Sequence, residues 1–338
     1  MRSWQYSSTK GGMENNLSLN TVSMPQPQAD QHLVKVIAAA VNSVDYRLAE
    51  FQFLHRTTFP KPASPGAEFA GIIIKPAPGS ALKAGQLIFG AAGTNFMHGG
   101  AMSEYALAST KATIPMPTGL STTDAAGIAT VGLTSYQSII PHSVPGSKVF
   151  INGGSGGVGT FGIQIAKAEG RHVTVSCSTV NAELCKSLGA DEVIDYKNQD
   201  VLQALKSSPK KYDLVVNNVD STASRALYWH AHEFTTPKAR FVTVAVSHQL
   251  PFIRFLLAAH FLPDFLGGAQ RKHVVCFGSP EMDQLKMIAD WVVEGRVRVV
   301  VDGVFGFADV KEAYTRSKTR RARGKIVVKI AEEEECVA

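Results

Sequence analysis

Residues 148–159 read KVFINGGSGGVG: an apolar run that ends in Gly154-x-Gly156-x-x-Gly159 and passes at once into TFGIQIAKA, a stretch that suits a helix to about Glu169. A second apolar run, HVTVSC, follows at 172–177. Strand, glycine turn, helix and strand in that order make the pattern a dinucleotide site rather than a chance spacing. Each glycine has its own reason: a tight turn at Gly154, close approach of backbone to a pyrophosphate at Gly156, and close helix–strand packing at Gly159. Ser155, Gly157 and Val158 complete the turn, whose N–H groups and positive helix end face a diphosphate.

Outward from this turn the two sides differ. Downstream, strands alternate with helices: a helix around 182–188, EVIDY at 192–196, a helix around 201–205, YDLVVNNV at 212–219, RFVTVAV at 240–246 and HVVCFG at 273–278. That alternation predicts a doubly wound α/β unit, a parallel sheet covered on both faces. Upstream, from about Leu33 to Leu107, the runs HLVKVIAAAV, EFAGIII, QLIFGAA and SEYALAS are punctuated by prolines at 60, 62, 65, 76 and 78, which predicts a mainly β domain. Between them, residues 121–140 predict a helix with Ser121, Thr122 or Thr123 as cap and Asp124 in its first turn. A helix near 281–293, a final strand GKIVVKI at 324–330 and a solvated acidic tail close the chain.

The composition narrows the function class. With 338 residues, 45% hydrophobic and 18% charged, the chain is long and apolar enough for one or two cores, which excludes a disordered protein. Its net charge of +6 is spread along the sequence, which points to small anionic ligands and not to nucleic acid. Cys177, Cys185, Cys276 and Cys336 share no metal-like spacing and are too few for a disulfide framework, so a reducing, cytoplasmic setting is expected. His55, His98, His142, His230, His232, His248, His260 and His273 show no HExxH or comparable pattern. The Leu250–Leu266 run is broken by Arg254, His260 and Asp264 and is too short to span a bilayer.

An NAD site would place a carboxylate at the end of the second strand, about 20 residues past the glycines, to bind the ribose 2′-hydroxyl. Here the strand leaves through Cys177, Ser178, Thr179, Val180 and Asn181, and the next carboxylate, Glu183, falls inside a predicted helix. Neutral hydroxyl and amide groups leave room for a 2′-phosphate, which favours NADPH.

The chain resembles the medium-chain dehydrogenase/reductase superfamily, in its zinc-free quinone oxidoreductase-like and enoyl reductase-like branch. The resemblance runs through VNSVDY at 41–46, PGAEFAGII at 65–73, KAGQLIFG at 83–90, GGAMSEYA at 99–106, GLTSY at 132–136, the glycine turn, KSLGADEVIDY at 186–196, YDLVVNNV, RFVTV at 240–244 and RARGKIVVKI at 321–330. It implies a GroES-like β-rich catalytic domain built from 1–122 and 281–338, a Rossmann domain at 123–280, and an active site in the cleft between them. It also implies that Ser178, Asn181 and Tyr196 face the 2′-phosphate, and that Thr134, Asn218 and Val219 border the ribose and nicotinamide. Many NADPH-dependent relatives carry Lys where this chain has Asn181, and most carry Gly at Asp220. Zinc-dependent members hold a Cys near Ser43 or Val44 and a His within Gly66-Ala67-Glu68. Neither ligand type is present, so the resemblance implies no metal.

Candidate catalytic residues cluster at 42–47. Asn42 offers an amide to the nicotinamide ribose or a substrate oxygen. Tyr46 either donates a proton, which at an ordinary pKa of about 10 needs help from neighbours, or is a packed β-domain tyrosine. Asp45 pairs with Arg47 or caps a turn, and Glu68 is either satisfied by a nearby donor or moves a proton. Phe51, Phe53, Phe96 and the Pro251–Leu266 run either wall a hydrophobic pocket or pack in the core. The long run is alternatively a lid, a dimer contact or a membrane-surface patch. Arg320, Arg321 and Arg323 form either a solvated face or a docking patch for an acyl-carrier partner. The expectation is an NADPH-dependent, zinc-independent reductase of a hydrophobic enone or quinone, monomeric or homodimeric through Val274–Phe277. The rivals are a metal-free carbonyl reductase, a biosynthetic tailoring reductase of a polyketide-type substrate, and a catalytically silent NADPH-binding relative.

Overall fold

The computed structural model describes residues 1–51, 62–92, 100–245, 247, 249–263, 266 and 268–332. The chain divides into two compact units: Met1–Leu133 with Ser279–Gly295 and Val299–Ala338, and Thr134–Gly278 with Arg296–Arg298.

In the first unit one long strand, Gln31–Val41, organises the sheet, because its small and β-branched side chains are buried along almost its whole length. Its end pairs antiparallel with Lys325–Lys329, Val41 opposite Ile326, and its beginning pairs with Tyr105–Pro115, Lys35 opposite Tyr105. Along its other edge lies Glu68–Lys75, then Leu87–Ala92, which pairs in turn with Tyr105–Pro115. Four of these strands, Gln31–Val41, Glu68–Lys75, Leu87–Ala92 and Tyr105–Pro115, therefore close on themselves and leave no open edge among them. Val301–Gly306 adds a parallel strand beside Lys325–Lys329. Phe69, Ile73, Ile88, Val34, Val36, Met102 and Tyr314 fill the core.

The second unit is a six-stranded parallel sheet in the order Lys272–Val275, Thr235–Thr243, Tyr212–Asn217, Lys148–Asn152, His172–Cys177, Glu192–Asp195. Its central strands, Lys148–Asn152 and Tyr212–Asn217, are buried almost throughout, as expected where both faces are covered. The chain winds outward from Lys148–Asn152 to one side, then returns to its other side with Tyr212–Asn217. The order reverses between these two strands, and ligands of open α/β sheets bind at the carboxyl ends of such a pair.

Several elements depart from the sequence reading. The helix expected over 121–140 is two helices, Thr122–Ala126 and Ala129–Ile139, broken at Gly127. A side chain at Gly127 would lie 3.3 Å from Val299 and 3.4 Å from Lys325, so the break brings backbone close to the sheet. The apolar run at 250–266 forms the helix Leu250–Phe261, whose Phe252 and Phe255 join the core around Tyr228 and Phe241, while Leu250, Leu257 and Phe261 are exposed. The strand pair Arg2–Gln5 and Ser18–Thr21, the strand Val301–Gly306 and the helices Thr222–Trp229 and Val310–Lys318 were not anticipated. The last of these is polar, with burial confined to Val310, Ala313 and Tyr314, too few apolar positions to set a period. Among the described residues, no helix is long and apolar enough to cross a membrane.

Candidate active site

At the switch point the backbone is stitched before any ligand is considered. Asn152 donates its amide to Asn217 Oδ1 at 2.8 Å and accepts the Ser176 hydroxyl at 2.6 Å. Ser176 Oγ in turn accepts the Gly153 N–H at 3.0 Å, and the Ser176 carbonyl accepts the Gly154 N–H at 2.9 Å. The ends of three neighbouring strands thus hold the turn in one conformation. The left-handed residue is Gly153, with φ +86°, and not Gly154, to which the sequence reading gave the tight turn. Gly154 instead lies where a Cβ would be 2.9 Å from Val175 Cβ.

The other two glycines separate cleanly. A Cβ at Gly159 would fall 2.2 Å from the Gly153 carbonyl oxygen, so only glycine lets the helix Gly157–Ala168 start this close to the strand. A Cβ at Gly156 would meet nothing within 4 Å, so this residue opens onto space in front of the helix N-terminus. Elsewhere around the turn stand polar atoms with no partner: both amide atoms of Asn218, which lies against Gly153, are buried without a hydrogen bond, as is Oδ1 of Asn181, which reaches Ser155. Leaving such atoms unpaired costs about 1–3 kcal/mol each, which a polar ligand would recover. An open helix N-terminus flanked by orphaned amides fits a dinucleotide.

The structure brings Asn181 to Ser155, whose Oγ accepts its amide at 3.0 Å, and brings Val219 and Asn218 against Gly153. Ser178 opens the turn Thr179–Asn181, its carbonyl accepting the Asn181 N–H at 2.8 Å. Tyr196 is half exposed, and its N–H reaches the Cys177 carbonyl at 3.1 Å. Thr134 is buried against Gly278, and its neighbour Ser135 donates to the Val158 carbonyl at 2.8 Å. Asp220 forms an ion pair with Arg225 at 2.5 Å, fixing the entry to the Thr222–Trp229 helix.

In the β-rich unit the candidates meet in a buried charged network. Glu68 is fully buried, and its Oε1 accepts from Lys325 Nζ at 2.7 Å and from the Asn42 amide at 2.8 Å. Its Oε2 accepts the Thr130 N–H at 2.7 Å. Lys325 also donates to Asn42 Oδ1 at 2.6 Å. Asn42 begins the helix Ser43–Ala49, and its N–H is capped by Asp45 Oδ2 at 3.0 Å, which also accepts the Tyr314 hydroxyl at 3.0 Å. Burial pushes the Asp45 carboxyl up to about 7, with Glu68 adding repulsion, against the pull of these hydrogen bonds and of Lys325. The same burial and the nearby Asp45 charge push the Tyr314 phenol well up.

Tyr46 sits on the same helix in the apolar core, with the Lys318 ammonium 5.2 Å from its ring centroid. Lys318 is itself paired with Glu14 and Glu50. A zinc ion does not fit the residues at 42–47 and 66–68. They offer neither thiolate nor imidazole, and an ammonium already holds their buried carboxylate. Among the described residues no group of three His, Cys, Asp or Glu side chains is placed to hold a metal ion. Sequence reasoning missed Lys325 and Tyr314, whose partners lie 257 and 269 positions away. At the end of the 319–323 basic run the Arg323 N–H donates to Asp302, which also holds Arg316 through two hydrogen bonds. Phe53, Phe96, His55, His98, His248 and Cys336 lie outside the described residues.

Two family models match the chain: the alcohol dehydrogenase GroES-like domain over residues 28–118 and the zinc-binding dehydrogenase over residues 188–328. A trans-enoyl reductase of Aspergillus terreus is 42% identical over 98% of this chain and 97% of its own length. The chain belongs to the medium-chain dehydrogenase/reductase superfamily. This medium-chain oxidoreductase is also 29% identical to a chloroplastic quinone oxidoreductase of Triphysaria versicolor, over 97% of the chain and 98% of the relative. Among solved structures it resembles the quinone oxidoreductase of Coxiella burnetii, with a TM-score of 0.84, 25% identity and coverage of 98% and 99%. Members of this superfamily work with nicotinamide cofactors, and the open glycine turn suits that use.

Two outcomes test this description of the oxidoreductase. Gly156→Val should leave the melting temperature close to that of the parent while weakening dinucleotide binding at least about tenfold, because it fills only ligand space. Gly159→Ala should instead lower the melting temperature by several degrees, because its Cβ collides with backbone. Calorimetric titration and thermal unfolding of both variants check the contrast. Asp45 supplies a pH test. Its folded pKa is raised, so its contribution to stability is full below about pH 4 and is lost as pH rises towards 7. Asp45→Asn keeps an acceptor for both donors and removes this loss. The melting temperature of the variant minus that of the parent should therefore grow between pH 4 and pH 7, and a flat difference would contradict the buried carboxyl.

Proposed function

We propose that the protein is a zinc-independent NADPH reductase that delivers hydride to the β-carbon of an α,β-unsaturated carbonyl, or to a quinone. One observation carries the choice of reaction: Lys325 and Asn42 hold Glu68 where zinc-dependent members of the superfamily assemble their metal ligands. Without a Lewis acid, polarising an alcohol or an isolated carbonyl is costly, whereas an activated C=C bond or a quinone spreads the developing charge onto a conjugated oxygen. The whole-length relatives named trans-enoyl reductase and quinone oxidoreductase support the same two substrate classes.

NADPH, when bound, supplies the hydride from its nicotinamide ring. The backbone of Gly154, Ser155, Gly156, Gly157 and Val158 takes the pyrophosphate at the start of the helix whose packing depends on Gly159. Ser178, Asn181 and Tyr196 take the adenosine 2′-phosphate. Thr134, Asn218 and Val219 border the nicotinamide, where the orphaned Asn218 amide meets a polar partner. Asn42 acts by position: both ends of its amide are bound to Glu68 and Lys325, which fixes the start of the helix that carries Tyr46. The burial of Tyr46 in the core supports a packing part for its ring, and its phenol is the candidate proton donor.

The exposed Arg320 and Arg321, which have no carboxylate partner among the described residues, support a second reading. In it the substrate arrives on an acidic carrier protein, as suits a trans-acting enoyl reductase.

Parallel assays of NADPH oxidation with 1,4-quinones, short and long enones and simple ketones test the proposal. Turnover of enones or quinones that added zinc does not increase is expected, and activity confined to simple ketones or alcohols would overturn it. Tyr46→Phe should lower kcat without changing the melting temperature if the phenol donates the proton, and leave kcat unchanged if the ring only packs.

A further inference from the structure

We infer that Lys197 supplies the cationic contact to the 2′-phosphate of NADPH, in place of the lysine that position 181 lacks; this rests on the NADPH reading above. The ends of the two outer strands lie level, Cys177 opposite Asp195, and the Tyr196 N–H to Cys177 carbonyl bond of 3.1 Å lays the 195–198 loop on the 178–181 loop. Asn198 strengthens the join, donating to Asp195 Oδ2 at 2.7 Å and reaching Thr179 Oγ1 at 3.5 Å. These are the two loops that carry Ser178, Asn181 and Tyr196.

Charge decides what the loops accept. Asp195 is held below the usual carboxylate range, first by the Thr179 hydroxyl and then by the Lys197 N–H, so it is ionised at neutral pH. Ser178, Thr179, Asn181 and Tyr196 bring no charge to offset it, and Lys186 in the following helix is paired with Glu183 at 3.0 Å. With Asp195 alone the loops would repel a 2′-phosphate. Lys197 is exposed, and its ammonium lies 5.7 Å from the Tyr196 ring centroid with no carboxylate partner among the described residues. A cation resting on an aromatic face is poised at the site and remains exchangeable, since such a contact is worth only about 0.5–1 kcal/mol when exposed. A phosphate entering between Ser178 and Tyr196 can therefore take Lys197 from the ring as a charge-assisted donor.

Titration calorimetry of the full-length protein with 2′,5′-ADP and with 5′-AMP, alongside NADPH and NADH, tests this without turnover. Lys197→Gln is expected to weaken 2′,5′-ADP and NADPH by about tenfold and to leave 5′-AMP and NADH unchanged, while Lys197→Arg keeps the parental preference. The salt dependence of 2′,5′-ADP binding should also flatten in Lys197→Gln. A parent that prefers NADPH and a Lys197→Gln variant that keeps that preference would overturn the assignment of Lys197. A parent that binds NADH as tightly as NADPH would overturn the NADPH reading itself.

Discussion

The contact between Gly159 and the Gly153 carbonyl is the constraint on which the cofactor unit depends. Any side chain at 159 would start 2.2 Å from that oxygen, so helix and strand meet at a distance only glycine allows. Because the helix begins there, its N–H groups open beside Gly156 and its positive end lies at the point where strand order reverses. The chain of hydrogen bonds through Ser176, Asn152 and Asn217 then locks the turn to three strands at once. Steric necessity, dipole and hydrogen bonding agree on one geometry, the consistency that marks a site built to hold a ligand.

The β-rich unit rests on a different kind of constraint. Burying Lys325 and Glu68 side by side is tolerable only because each makes further hydrogen bonds, to Asn42, to the Thr130 N–H and to the Val41 carbonyl. Removing one partner of such a pair costs about 3–5 kcal/mol, since the other is left charged and dry. The network joins the final strand to the start of the helix Ser43–Ala49.

Much of this was legible because its causes are local. A glycine needed for close packing must appear in the sequence as glycine, so GGSGGVG between an apolar run and a helical run announced the cofactor turn. The alternation of strand and helix runs after Lys148 likewise announced a parallel sheet covered on both faces. What escaped reading depends on distant partners. Lys325 stood in plain view within GKIVVKI, but nothing nearby shows that it is buried, because Glu68 is 257 positions away. The left-handed residue is Gly153 and not Gly154, where glycine is needed for a different and distant reason: a Cβ there would lie 2.9 Å from Val175 on the neighbouring strand. The apolar run at 250–261 was ambiguous in sequence, and its division into a buried Phe252 and Phe255 face and an exposed Leu257 and Phe261 face is set by the aromatic cluster around Tyr228.

The destination of the hydride is the most direct measure of the whole account. NADPH carrying deuterium at the transferred position, turned over with an α,β-unsaturated ketone, should place the label on the β-carbon of a saturated ketone, as read by nuclear magnetic resonance of the product. Deuterium on a carbinol carbon, with the double bond intact, would show that the protein reduces carbonyls and would contradict the reaction assigned to it.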